Sequence, residues 1–79
     1  MRLDKYLKES GIIKRRTIAA EVANAGKIKL NDRQAKASST VKVDDILEIS
    51  LGDRVRIFKV LNLMRAPGKG KGQEMYEEK

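Results

Sequence analysis

Apolar positions at helical spacing open the chain. In RLDKYLKE, Leu3, Tyr6 and Leu7 fall on one side, which predicts a short amphipathic helix over 2–9. Its charged residues offer two i,i+4 pairs, Asp4 with Lys8 and Lys5 with Glu9, and Ser10-Gly11 supplies a helix stop. Ile12 and Ile13 are expected to pack inward. A second helix is predicted from about 14–16 to Gly26, with Ile18, Ala19, Val22, Ala23 and Ala25 on its buried side, where alanines permit close approach.

The period then switches from helical to two. KIKLN alternates Ile28 and Leu30 with Lys27 and Lys29, as in a half-buried strand. Asn31-Asp32 makes a tight turn, and 33–37 is expected to return as the partner strand carrying Lys36. Ser38-Ser39-Thr40 reads as a connector whose hydroxyls satisfy local backbone groups. A second strand pair follows: Leu47, Ile49 and Leu51 alternate, Gly52-Asp53 turns, and Val55 and Ile57 resume. Phe58, Val60, Leu61 and Leu63 leave the phase of that last strand ambiguous, with a bulge near Lys59 as one solution. APGKGKGQ holds the single proline and three of the six glycines and reads as a mobile linker, and EMYEEK as a terminal helical turn.

At 79 residues the chain is one small domain with a core near the lower limit of self-sufficiency. It has no cysteine and no histidine, which excludes disulfides, thiolate and imidazole chemistry and the commonest zinc sites. The start lacks the apolar core of a signal peptide and the chain has no membrane-length apolar run, so a cytoplasmic location is expected.

Charge changes the picture most. Residues 1–42 carry 11 basic and 4 acidic side chains, whereas 43–79 carry 7 of each, so the whole excess of +7 lies in the first half. Such asymmetry is the electrostatic footprint of a polyanion binder, against the plainer alternative of a solvated surface. Lys14, Arg15 and Arg16 stand at the start of the second helix, where the macrodipole is already positive and a cation gains nothing from it. The same place suits an anion, because unsatisfied backbone N–H groups and guanidinium forks converge there. Arg2 and Lys5 share the polar side of the first helix, and Lys27 and Lys36 lie on the hairpin, which completes the candidate polyanion-binding set.

Rival readings are weaker. Asp44-Asp45 resembles a paired carboxylate, but adjacent strand-edge residues point apart, and a turn role fits. GKGKGQ lacks the spacing of a phosphate loop. An acidic protein partner, a membrane surface and duplex DNA are alternative takers of a basic patch.

The segments RLDKYL, KRRTIAAEVANAGKIKLN, KAS at 36–38 and VKVDDIL at 41–47 together resemble the S-four RNA-binding domain, or alpha-L motif, over residues 1 to about 50. That resemblance implies an α+β fold with two short N-terminal helices packed on a small, mainly antiparallel sheet. With the Pro/Gly composition beyond residue 65, the domain is expected at 1–64 and a flexible tail of mixed charge at 65–79. Arg16 matches the family's helix-two arginine. The chain departs from the family at Arg15, where a serine or threonine is common, at Asn31-Asp32 instead of Asn-Gly, and at Asp44-Asp45 instead of Gly-Asp. Within the family, the MRLDKYLK start, IKRR and the Met75-Tyr76-Glu77-Glu78 ending are similar to two ribosome-associated branches, quality-control factors and fifteen-kilodalton heat-shock proteins. The partners this implies are large-subunit rRNA, tRNA or peptidyl-tRNA, and the free large ribosomal subunit with its quality-control factors. It implies no enzyme activity, cofactor or membrane, and a monomer when free.

Overall fold

The computed structural model describes residues 1–64 and 75–79. Two helices, α1 (Leu3–Ser10) and α2 (Arg16–Asn24), pack on one face of an antiparallel sheet. Its strands are β1 (Ile28–Leu30), β2 (Arg33–Gln34), β3 (Ile46–Leu51), β4 (Arg54–Val60) and β5 (Tyr76–Glu78), in the spatial order β2-β1-β3-β4-β5.

The helical stripe read from α1 is the one buried: Leu3, Tyr6 and Leu7 have no exposed surface, and Gly11 ends the helix in the left-handed region at φ 82°. Each such side chain contributes about 1.5–3 kcal/mol by leaving water. Ala19 and Ala23 form the contact face of α2, with Val22 half-buried beside them. Ile18 and Ala25, expected on that face, are exposed, because Ala19 and Ala23 set the helix phase and Ala25 already lies past the last turn. Gly26 also has positive φ, and a Cβ there would collide with the Gln34 amide.

Asn31 and Asp32 both take positive φ, at 53° and 68°, as a tight β1–β2 turn of the primed type requires. The return strand is only two residues long, so Lys36 stands beyond it, in a turn closed by Ser39. Ser39 satisfies backbone there as expected, its Oγ accepting from the Lys36 N–H at 2.9 Å.

In the β3–β4 pair, Leu47 faces Phe58 and Ile49 faces Arg56, in unbroken register from Ile46–Lys59 to Leu51–Arg54. No bulge interrupts it. Phe58 and Val60 therefore point into the core with Leu47 and Ile49, while Val55 and Ile57 belong to the helix-free face. The chain's last residues are a strand rather than the expected helical turn or part of a detached tail. Phe58 pairs with Glu78 and Val60 with Tyr76, Met75 is fully buried, and the Tyr6 hydroxyl donates to the Met75 carbonyl at 2.6 Å. A strand is favoured because Tyr76 and Glu78 alternate onto the face that presents Phe58 and Arg56. Tyr76 packs edge-on to Phe58 with ring centroids 5.2 Å apart. Burial pushes the Tyr6 hydroxyl far above its ordinary pKa, with Tyr76 adding to it, so it remains a donor. The linker expected at APGKGKGQ lies outside the described residues.

Candidate nucleic-acid interface

Asp4 occupies the first turn of α1 on the same stripe as Leu3 and Leu7, and is only 5 % exposed. A carboxylate so placed needs compensation. The Lys5 backbone N–H donates to its Oδ1 at 2.8 Å, Arg2 Nε to Oδ1 at 3.2 Å and Nη2 to Oδ2 at 3.4 Å, and Arg16 Nη2 to Oδ1 at 3.3 Å. Arg16 can reach because it opens α2, whose alanine face lets that helix lie close against α1. Burial opposes ionisation of Asp4, but the hydrogen bonds from Arg2, Arg16 and the Lys5 N–H outweigh it and hold the carboxyl below its usual value. The pair expected between Asp4 and Lys8 does not form. Lys8 turns instead to Glu9, since the two arginines already fill the carboxylate.

One buried anion thus fixes two guanidinium groups side by side. Arg2 remains 55 % exposed along its side chain and Arg16 47 %. Arg16 spends only Nη2 on Asp4, so among the described residues its other donors point to no protein partner. Arg2 turns its Nε–Nη2 edge to Asp4 and keeps Nη1 for an outside anion, whereas Arg16 gives Asp4 a single donor and keeps the rest of its guanidinium.

The remaining expected residues fall into two groups. Lys5 follows Asp4 and is exposed; Lys14 and Arg15 lead into α2 and are exposed, with Arg15 at the N-cap position making no side-chain cap, so no side chain there competes for the first N–H groups of the helix. Lys36 is brought to the same end of the molecule by its turn, because Leu3 N–H donates to the Ser39 carbonyl at 2.8 Å and Asp4 N–H to the Ala37 carbonyl at 3.1 Å. Asn24 at the end of α2 braces that turn, its Oδ1 accepting from the Ala37 N–H at 3.0 Å. Lys27 is not part of this cluster. It borders a shallow depression on the helix-free face of the sheet with Lys29, Glu48, Ser50 and Val55. Sequence reasoning missed Asp4 as the group that holds the arginines together. The signal was its position, an acidic residue on an otherwise apolar helical stripe, which calls for a distant cation.

Other chemistry finds no support among the described residues. No cluster of three or more acidic, cysteine or histidine side chains is placed to hold a metal ion. Asp45 accepts from the Lys42 N–H at 2.8 Å and from Asn31 Nδ2 at 3.0 Å, and Asp44 sits in the turn at φ 75°, so the two carboxylates shape a loop. Tyr6 and Phe58 are fully buried and Tyr76 is half-buried edge-on against Phe58, so the three aromatic rings form no open stacking platform. No helix among the described residues is long and apolar enough to cross a membrane.

Comparison with known proteins bears on the family and the fold. Residues 1–47 match the model of the S4 domain family. The chain is 51 % identical over 77 residues to the RQC P-site tRNA stabilizing factor of Streptococcus pneumoniae, covering 98 % of this chain and 88 % of that protein. It is 47 % identical over 76 residues to the protein of the same name in Bacillus subtilis, covering 96 % and 88 %. Its fold superposes with a TM-score of 0.83 on a trimeric structure of heat shock protein 15 from Vibrio cholerae, at 26 % identity, over all of this chain and 81 % of the other. Both branches anticipated from the sequence are therefore present among its relatives.

Proposed function

The chain belongs to the S4 domain family, and from that premise we propose that it is a non-catalytic RNA-binding factor of ribosome-associated quality control. In this reading it binds rRNA and P-site peptidyl-tRNA on the free large ribosomal subunit after a stalled ribosome splits, and so supports C-terminal tailing of the stalled chain. The observation that carries it is the Arg2–Asp4–Arg16 cluster, which holds two half-exposed guanidinium groups beside Lys5, Lys14, Arg15 and Lys36.

The chemistry suits structured RNA. A folded RNA displays phosphates and 2′-hydroxyls in fixed geometry and is recognised largely by shape, so a rigid basic surface is an adequate reader without stacked bases. Guanidinium forks match phosphate oxygens in pairs, which a lysine ammonium cannot do. The pre-set pair loses little side-chain freedom on binding, because Asp4 has already ordered both arginines. The likeness to heat shock protein 15 supports a second reading, a factor that recycles blocked large subunits using the same surface.

The test is cosedimentation of wild type and Arg16→Glu with purified large subunits, with and without peptidyl-tRNA. Preference for tRNA-bearing free subunits, sensitive to RNase and lost in the folded variant, is the expected result. Equal binding by both proteins overturns the assignment of this surface. Binding that survives RNase points to a protein partner. Among tRNA-binding outcomes, stimulation of tailing favours the first reading and release of the peptidyl-tRNA the second.

A further inference from the structure

A second concavity, of about 470 Å³, opens at the hairpin end of the sheet and is lined by Leu30, Asn31, Arg33, Thr40, Lys42 and Asp45. Its floor is rigid. Asn31 is fixed in its positive-φ turn, accepts from the Ile46 N–H at 2.9 Å through Oδ1, and donates from Nδ2 to Asp45 Oδ1 at 3.0 Å. Asp45 Oδ2 accepts from the Lys42 N–H at 2.8 Å, so both oxygens of the lining's single carboxylate are engaged in holding the loop. The two cations are not. Arg33 and Lys42 are exposed, and among the described residues neither has an ion-pair partner, although Asp32 and Asp44 lie nearby in sequence. The lining therefore carries an excess of one positive charge, matched to one phosphodiester.

The groove also borders the first site. Thr40 on its wall forms an isolated β-bridge with Arg2, so one short stretch of backbone separates Arg33 and Lys42 from the arginine pair. We propose that this groove is a second phosphodiester-binding site, in which Arg33 and Lys42 grip the backbone of an RNA segment distinct from the one bound at Arg2 and Arg16. The proposal rests on the RNA-binding reading above and deepens it: two anion sites divided by the Arg2–Thr40 bridge give a small domain purchase on two RNA strands at once.

The experiment measures binding of the full chain to isolated tRNA and to large subunits lacking tRNA, over a salt series, for wild type, Arg33→Gln/Lys42→Gln and Arg33→Lys/Lys42→Arg, with thermal melts confirming the fold. Removing two phosphate contacts should weaken binding and flatten the log–log salt slope by about 1.4–1.8, while the charge-conserving variant keeps the wild-type slope. A loss confined to one RNA assigns the groove to tRNA or to rRNA. An unchanged slope in the Gln variant, or an equal loss in the charge-conserving one, overturns the groove as an anion site while leaving the Arg16 surface standing. A wild type that binds neither RNA removes the RNA reading itself, and this site with it.

Discussion

The molecule contains two arginine–carboxylate sites built in opposite ways. At the sheet edge, Arg56 meets Glu78 fork to fork, Nε and Nη2 each 2.8 Å from a carboxylate oxygen, with the guanidinium 5.0 Å from the centre of the Phe58 ring. At the helical end, one carboxylate is shared by two arginines through contacts of 3.2–3.4 Å. By geometry the first is the stronger bond, yet it lies open to water, where such pairs contribute little, and its fork is consumed in tying β5 to β4. Mutual hydrogen bonding raises the pKa of Arg56 and lowers that of Glu78, as for a closed pair. The Asp4 site is looser but buried on its acidic side, and it leaves arginine donors facing outward. Well-made salt bridges hold strands here, while an incompletely satisfied pair of cations is what remains for a ligand.

The contrast is broken most severely by Arg16→Glu, which places a negative charge at the centre of the cluster. Loss of a charge-assisted contact is worth about 1.5–3 kcal/mol, so RNA affinity should fall about tenfold or more, whereas Arg56→Gln should leave it unchanged. Binding titrations on the two variants decide this.

Asp4→Asn separates presentation from mere charge. It makes the protein one unit more basic, so simple electrostatics predicts tighter binding. If Asp4 acts by orienting Arg2 and Arg16, affinity instead falls, by roughly threefold to tenfold for the loss of a pre-ordered pair. The same titration at fixed salt reads out the sign.

Tyr6→Phe probes the strand that the Glu78 pair helps to hold. It removes the Tyr6 hydroxyl from the Met75 carbonyl, which still accepts from the Leu61 N–H at 2.8 Å and the Asn62 N–H at 3.2 Å, so the cost is about 1 kcal/mol, or about 5 °C in a thermal melt of so small a domain. RNA binding should be spared. Glu78→Gln should produce a still smaller effect, visible as faster amide exchange confined to β5.

The pH dependence is the weakest lever and has a definite sign. The Asp4 carboxyl lies below its ordinary 3.8, so its contribution is complete above that value and is lost only as pH falls through the lower folded one. With no histidine in the chain, affinity should be flat between about pH 5.5 and 7. A step in that window would show that some other group controls the surface.

Local signals were legible where they matched what the fold uses. Leu3, Tyr6 and Leu7 announced α1, Gly11 its end, and Asn31-Asp32 the first hairpin, because spacing and backbone conformation are short-range properties. The charge excess and the helix-two arginines likewise marked the end of the molecule where Arg2, Arg16 and Lys36 meet. What escaped depends on partners distant in the chain. The i,i+4 rule offered Lys8 to Asp4, but Arg16, twelve residues away, takes it. Val55 and Ile57 look as apolar as Phe58 and Val60, and only pairing with Leu47 and Ile49 chooses between them. Lys27 shares its alternation with Lys29 and so goes to the far face of the sheet, away from the helices. The final EMYEEK reads as a helical turn, because nothing local shows that Arg56 and Phe58 wait beside Tyr76 and Glu78.

The salt dependence of binding to peptidyl-tRNA-bearing large subunits tests the central claim most directly. With Arg2, Lys5, Lys14, Arg15, Arg16 and Lys36 on phosphates, these six contacts alone should give a log–log slope of about −4 to −5, any contacts of Arg33 and Lys42 steepening it further, with a shallower slope for Arg16→Glu. A slope near zero, or one that the substitution leaves untouched, would contradict a binding surface built around the arginines of Asp4.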